Sequence, residues 1–273
     1  MCNSPTTRIE LDLAKKRIAM FQLKQRVLDP DGKKNHLSLS CDPRSFLRFL
    51  GKITSGNYDG LRAYFGITEN DANGDDVNNV GADELDRLTV IFVPTRFNAA
   101  TGGHEDDTRS CWILIQRNLI EVNQQASGVP DTISRWILKY RSNLVLGALQ
   151  SDGNGEVGNG FTETKSIWYG IGDIQTNSNG NGLIDYVRCL FRDSDPLIEV
   201  VIQFAAYRFL NDPLSAAHPY QLTLLYYFRQ QTNVNKQVQE FDSFFSIANK
   251  DGETTDTGSP CPPDVSCMGS NWP

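Results

Sequence analysis

Apolar positions recur at a helical spacing over residues 9–28, where Ile9, Leu11, Leu13, Ile18, Phe21 and Val27 stand among Lys and Arg. That period predicts an amphipathic helix. The turn signal DPDG at 29–32 ends it, and the alternating LSLS beyond predicts a short strand. Asp42 and Pro43 then open a second helix as an N-cap followed by Pro, with SFLRFL (45–50) as its apolar body. GLRAYFGI (60–67) and LTVIFVPT (88–95) are rich in β-branched and aromatic residues and predict strands. An acidic, Asn-rich loop joins them.

The same order returns further along the chain. A helical period over 133–149 is followed by a Gly-rich loop, by SIWYGI where LSLS stood, by the helix LIDYVRCLF, and by the strands IEVVIQFAAYRF and LTLLYYFRQ. Aligning Phe46 with Tyr186 brings Phe65 within one position of Phe204, and Leu88, Thr89 and Phe92 then correspond to Leu222, Thr223 and Tyr226. The expected fold is α+β, a tandem duplication of an α-β-α-β-β unit with antiparallel strands about a pseudo-twofold axis. Phe46, Phe65, Tyr186 and Phe204 are its expected structural core positions. The first repeat is expected over 1–98, a connector over 99–129, the second repeat with a C-terminal helix over 130–249, and a flexible Cys/Pro tail over 250–273. Within the connector FNAATGGHEDDTRS reads as a loop and CWILIQRNLIEVNQQ as a helix or strand, while KQVQEFDSFFSIANK is helical in pattern.

Composition changes this picture little. The 273 residues are 39% hydrophobic and 22% charged, the balance of a globular protein. No apolar run approaches the roughly 18 residues that span a bilayer, so no membrane span is expected. A net charge of -7 argues against a nucleic-acid partner, which needs a basic stripe. The start MCNSPTTRIE has neither a basic nor an apolar signal region, which makes the cytoplasm the default location. The alternative is a lipid-anchored surface protein held through Cys2. Cys41, Cys111 and Cys189 sit among apolar neighbours as core residues. Cys261 and Cys267, in the tail, are the near pair, and bonding between them stays open.

The strand GLRAYFGI, the acidic loop, the strand LTVIFVPT and a CPP near the C-terminus resemble a group of uncharacterised bacterial proteins with GIRIYYG-like and LIIVGV-like strands. The resemblance covers about a third of the chain. It implies an α+β fold and brings no activity with it.

Chemistry is sparse. His36, His104 and His218 lie far apart in no metal-binding spacing, and there is no nucleophile elbow, phosphate loop or dinucleotide fingerprint. His104, with carboxylates beside it, gives the weak catalytic candidates His104, Glu105 and Asp106. The acidic loop places Asp71, Asn73 and Asp75 at the alternate positions of a calcium loop, though without the glycine and the bidentate Glu that such a loop needs. NSNGNGLID gives a second weak set, Asn177, Asn179, Asn181 and Asp185. No cofactor is expected beyond calcium at these loops. Strand aromatics supply the interaction candidates Tyr226, Tyr227, Trp168 and Tyr169, as anchors for protein partners or self-assembly. The expected function is therefore a structural or protein-interaction component of a larger assembly, binding through aromatic strand surface and tail. The alternatives are a hydrolase-type enzyme with an acidic site between the repeats and a calcium-dependent binding module.

Overall fold

A computed structural model describes residues 11–28, 38–69, 87–115, 117–122, 129–144, 166–174, 183–192, 197–206, 222–231 and 238–240. The chain is α+β, with helices packed on antiparallel sheets. Its elements are α1 (Leu11–Leu28), β1 (Ser38–Cys41), α2 (Pro43–Ser55), β2 (Gly60–Ile67), β3 (Leu88–Asn98), β4 (Gly103–Asp106), β5 (Cys111–Ile115), β6 (Asn118–Val122), α3 (Val129–Leu144), β7 (Ser166–Gly170), α4 (Ile171–Ile174), α5 (Leu183–Arg192), β8 (Leu197–Ala206), β9 (Leu222–Gln231) and β10 (Val238–Glu240).

Helix α2 shows how local chemistry sets an element. Asp42 Oδ1 accepts from the backbone N–H of Ser45 at 2.9 Å, Pro43 follows the cap, and the Gly56 N–H closes the last turn on the Lys52 carbonyl. Phe46, Phe49, Leu50 and Ile53 fall on one buried face, and burying each stabilises the fold by roughly 1.5–3 kcal/mol.

The strands form two sheets, one ordered β1-β8-β9-β10 and the other β6-β5-β3-β2-β7, with β4 also paired to β3. Pairing between them is reciprocal. The short strand β1, early in the chain, pairs with β8, and the short strand β7, later in the chain, pairs with β2. Helix α1 lies on β8 and helix α3 on β2. The registers correspond as well. Phe65 faces Val90 and Ile67 faces Leu88, as Phe204 faces Leu224 and Ala206 faces Leu222. On the opposite edge Leu61 faces Tyr169 as Val200 faces Cys41. Each sheet thus draws strands from both ends of the chain.

The main core fills the space between the sheets under α2 and α5, with Phe46, Phe65, Tyr186 and Phe204 all buried in it. Across the second sheet's other face α3 packs Ile133, Trp136 and Ile137 on Tyr64, Ile91 and Val93. On the first sheet's outer face Ala14 of α1 meets Ala205 and Leu225.

Three segments differ from the sequence expectation. Residues 103–106, read as loop, are strand β4, because Asn98 turns the chain back: its side chain accepts from the Ala100 N–H and its carbonyl from Gly102, whose φ of +70° suits glycine. Cys111–Ile115 and Asn118–Val122, read as one helix or strand, are the two strands of the hairpin β5–β6, pinned by the Asp42 N–H donating to the Arg117 carbonyl at 2.6 Å. Val238–Glu240 lies in the stretch read as helical, yet it is a strand, because edge pairing on β9 satisfies its backbone. Among the described residues no helix is long and apolar enough to cross a membrane.

Candidate functional site

Among the described residues a polar constellation that gathers sequence candidates lies at one end of the second sheet, where Asp59 leads into β2 and meets Thr95 of β3, His104 of β4 and Trp168 of β7. A glycine makes the meeting possible. Gly60 opposes Gly170, and a Cβ on Gly60 would stand 2.6 Å from Trp168 Nε1 and 2.6 Å from the Tyr169 carbonyl oxygen. With no side chain there, the indole crosses β2 and donates to Thr95 Oγ1 at 3.0 Å. Thr95 in turn donates to Asp59 Oδ1 at 2.6 Å, while Asp59 Oδ2 lies 3.1 Å from His104 Nδ1. The imidazole stacks on the Trp168 ring with centroids 4.0 Å apart, and the ring of Phe97, its cross-strand partner, is tilted against it with centroids 5.6 Å apart. Phe97 is 57% exposed.

Beneath this row runs a buried ion pair. Arg62 Nη1 lies 2.5 Å from Asp106 Oδ1, and Tyr64 donates to the second oxygen of that carboxylate at 2.5 Å. Arg62 Nη2 also donates to the His104 carbonyl at 2.9 Å, so the pair fixes β4 against β2. Burial pulls the Arg62 guanidinium down, but Asp106 and Tyr64 outweigh it and hold it above its ordinary range. Next along the chain, Asp107 accepts from the Arg109 side chain and backbone N–H, from Arg96 and from the Tyr58 hydroxyl. Hydrogen bonds from Arg109, working against burial, hold its carboxyl below the usual range.

Chemically, a proton on His104 Nδ1 facing Asp59 leaves Nε2 as an acceptor. The Thr95 hydroxyl donates to the carboxylate and not to the imidazole, so it is not activated as a nucleophile would be. What the arrangement does well is hold three rings in a fixed row.

The three adjacent catalytic candidates do not converge. His104 belongs to the row, Glu105 accepts from Asn98 Nδ2 at 2.6 Å, and Asp106 is buried against Arg62. Asp71, Asn73, Asp75, Asn177, Asn179 and Asn181 lie outside the described residues. Asp185 sits on α5 with Arg188 at 3.8 Å. Among the described residues no group of three His, Cys, Asp or Glu is placed to hold a metal ion.

Of the aromatic anchors, Tyr169 and Tyr226 are buried and face each other edge-on at 6.2 Å, and Tyr227 is only 7% exposed. These are corrections: β9 is an interior strand, with one face toward Phe46 of α2 and the other under α1 and Arg229. Trp168 alone among the four is partly exposed. Asp59, Thr95, Arg62 and Phe97 were not anticipated, since nothing local couples positions so far apart.

Cys41 and Cys111 are buried, as expected of core cysteines. Burial, then the Asp42 charge, pushes the Cys41 thiol up to about 12, which makes it inert at neutral pH. Cys189 is instead disulfide-bonded, and its partner cysteine is outside the described residues. Comparison with family models, curated proteins and solved structures finds no match for this chain.

Proposed function

We propose that the protein is an interaction component that holds another polypeptide chain on the row Phe97–His104–Trp168. The observation that carries this reading is the exposure of Phe97 beside two rings held by Asp59 and Thr95. Exposed aromatic side chains dominate binding hot spots, and a platform held by its own hydrogen bonds loses little entropy on binding. Tagged protein released gently from its own cells tests this: the wild type should emerge in a particle heavier than the 30.5 kDa chain, and Phe97→Asp should emerge alone with unchanged circular dichroism. A wild type that emerges as a single chain would count against the proposal.

A second reading is acid–base chemistry at His104, favoured by Asp59 at 3.1 Å. Under it Asp59→Asn would abolish a reaction that Phe97→Asp leaves intact.

We further read the chain as a tandem duplication with a pseudo-twofold axis. Support comes from the reciprocal pairing of β1 with β8 and β7 with β2 in matching registers. A chain cut between residues 122 and 129 should then fold only when both pieces are present; a piece that folds alone would contradict the exchange. The disulfide at Cys189 favours an oxidising compartment over the cytoplasm. Alkylation of the freshly isolated, denatured chain should leave Cys189 unlabelled until reductant is added, and labelling without reductant would return the location to the cytoplasm.

A further inference from the structure

An unpaired strand edge offers its backbone N–H and C=O groups to any other extended chain, and the second sheet treats two such edges differently. Along β6 the edge is closed. Ser45 Oγ of α2 accepts from the Leu119 N–H at 2.9 Å and donates to the Leu119 carbonyl at 3.0 Å. Glu121, two residues on, accepts from Lys52 and from Ser110, which keeps a charged side chain beside that edge. Burial pushes the Glu121 carboxyl up, but those hydrogen bonds prevail and hold it below the ordinary range.

The end of β3 is left open. Along a paired strand the backbone groups of successive residues point to opposite sides. The Pro94 carbonyl accepts from the Asp107 N–H at 2.7 Å on the β4 side, and the Thr95 carbonyl accepts from the Asp59 N–H at 3.0 Å on the β2 side. Phe97 stands two residues beyond Thr95, so its N–H and C=O also point to the β2 side. By then β2 has ended and the chain has turned off. The Tyr58 N–H donates to the Gly56 carbonyl at 2.8 Å, the Asn57 carbonyl accepts from Arg96 Nη1 at 3.0 Å, and the Arg96 guanidinium lies 4.5 Å from the centre of the Tyr58 ring. Among the described residues none takes either backbone group of Phe97.

We infer, resting on the reading of the Phe97–His104–Trp168 row as a binding platform, that the chain it holds enters as an extended segment in the place that β2 vacates, pairing with the backbone N–H and C=O of Phe97. A helix would not serve, because it spends its own backbone groups internally. The residue opposite Phe97 carries its side chain on the same face of the sheet as the Phe97 ring. An apolar side chain there covers that exposed ring, in line with Gly60, which the Trp168 indole already crosses. Backbone pairing supplies the affinity and this side-chain contact the selectivity, as in strand addition generally.

The test places phenyllactic acid at position 97 of the intact tagged protein, which turns the Phe97 amide into an ester, removing the N–H and keeping the ring. The particle released from the protein's own cells should then dissociate about tenfold faster than the wild-type particle, with circular dichroism unchanged. Hydrogen exchange gives a second readout that needs no variant: the Phe97 amide of the wild type should exchange at least tenfold more slowly in the particle than in the recombinant chain alone. An ester that holds its partner as tightly as the amide, or a Phe97 amide that exchanges equally fast in both, overturns the inference. If Phe97→Asp still releases the partner in that case, the platform reading survives without the added strand. A wild type that emerges as a single chain overturns both.

Discussion

The rings of Phe65 and Phe204 lie 6.3 Å apart, one on β2 and the other on β8, where the two sheets face each other. Each is covered from behind by a helix ring: Tyr140 of α3 stacks on Phe65 at 5.4 Å and Phe21 of α1 meets Phe204 at 5.5 Å. Four aromatic residues therefore join elements from both ends of the chain at one point. Truncating Phe65 or Phe204 to Ala should cost about 3–5 kcal/mol. Because the rings touch, the double variant should depart from additivity by about 0.5–1.5 kcal/mol. Urea unfolding of the three variants reads both numbers, and strict additivity would mean that the sheets do not bear on each other here.

Gly60 should resist substitution for a reason that a propensity scale does not give. In Gly60→Ala the new Cβ collides with the Trp168 indole and with the Tyr169 carbonyl, and one of those is backbone that cannot swing aside. We expect a loss of about 1–3 kcal/mol, as for overpacking, with a change in tryptophan emission as the indole leaves Thr95. Gly51 is the control: it lies inside α2 with nothing within 4 Å of a built Cβ, so Gly51→Ala should stabilise by about 0.5–1 kcal/mol.

The Arg62–Asp106 pair should behave as a buried charge pair. Asp106→Asn leaves the guanidinium buried with its main counter-charge gone, at a cost of about 3–5 kcal/mol. Replacing both partners, as Arg62→Met with Asp106→Leu, should cost less than Asp106→Asn alone. Chemical denaturation of the single and double variants checks the order, and a double variant less stable than the single would show that the pair contributes beyond its own neutralisation.

Acid should destabilise the fold through Asp107 and Glu121. Both carboxyls titrate lower in the folded protein than their ordinary values of 3.8 and 4.5. A depressed folded value means that the stabilisation is complete above the ordinary carboxylate range and is lost as pH falls through the folded values. The thermal midpoint should thus decline on acidification below about pH 5, and Asp107→Asn should flatten part of that decline. A midpoint independent of pH across that window would remove both groups from the account.

Much of the fold was legible in the sequence, because the periods of 3.6 and 2 that bury one face are written locally: the cap at Asp42, the apolar face of α2, and the long strands β2, β3, β8 and β9 all follow from them. What pairs with what was not legible. No local signal says that Ser38 faces Gln203 or that Trp168 faces Arg62, since strand pairing is decided by the assembled core. The same reason hid the site. Trp168 and His104 were visible as residue types, but Asp59, Thr95 and Gly60 matter only because the chain brings them together. It also misplaced Tyr226 and Tyr227, which look outward in an alternating strand until α1 and α2 are known to cover both faces.

The central claim is that Phe97 and the rings behind it meet another chain. A photoreactive phenylalanine analogue at position 97, in the intact protein within its own cells, tests it most directly, with the equally apolar exposed position Leu138 on α3 as the reference. The account predicts one discrete adduct from position 97, identified by mass spectrometry as a second copy or a single partner, and abolished by His104→Ala. No adduct from position 97, or the same set of adducts from positions 97 and 138, would contradict it.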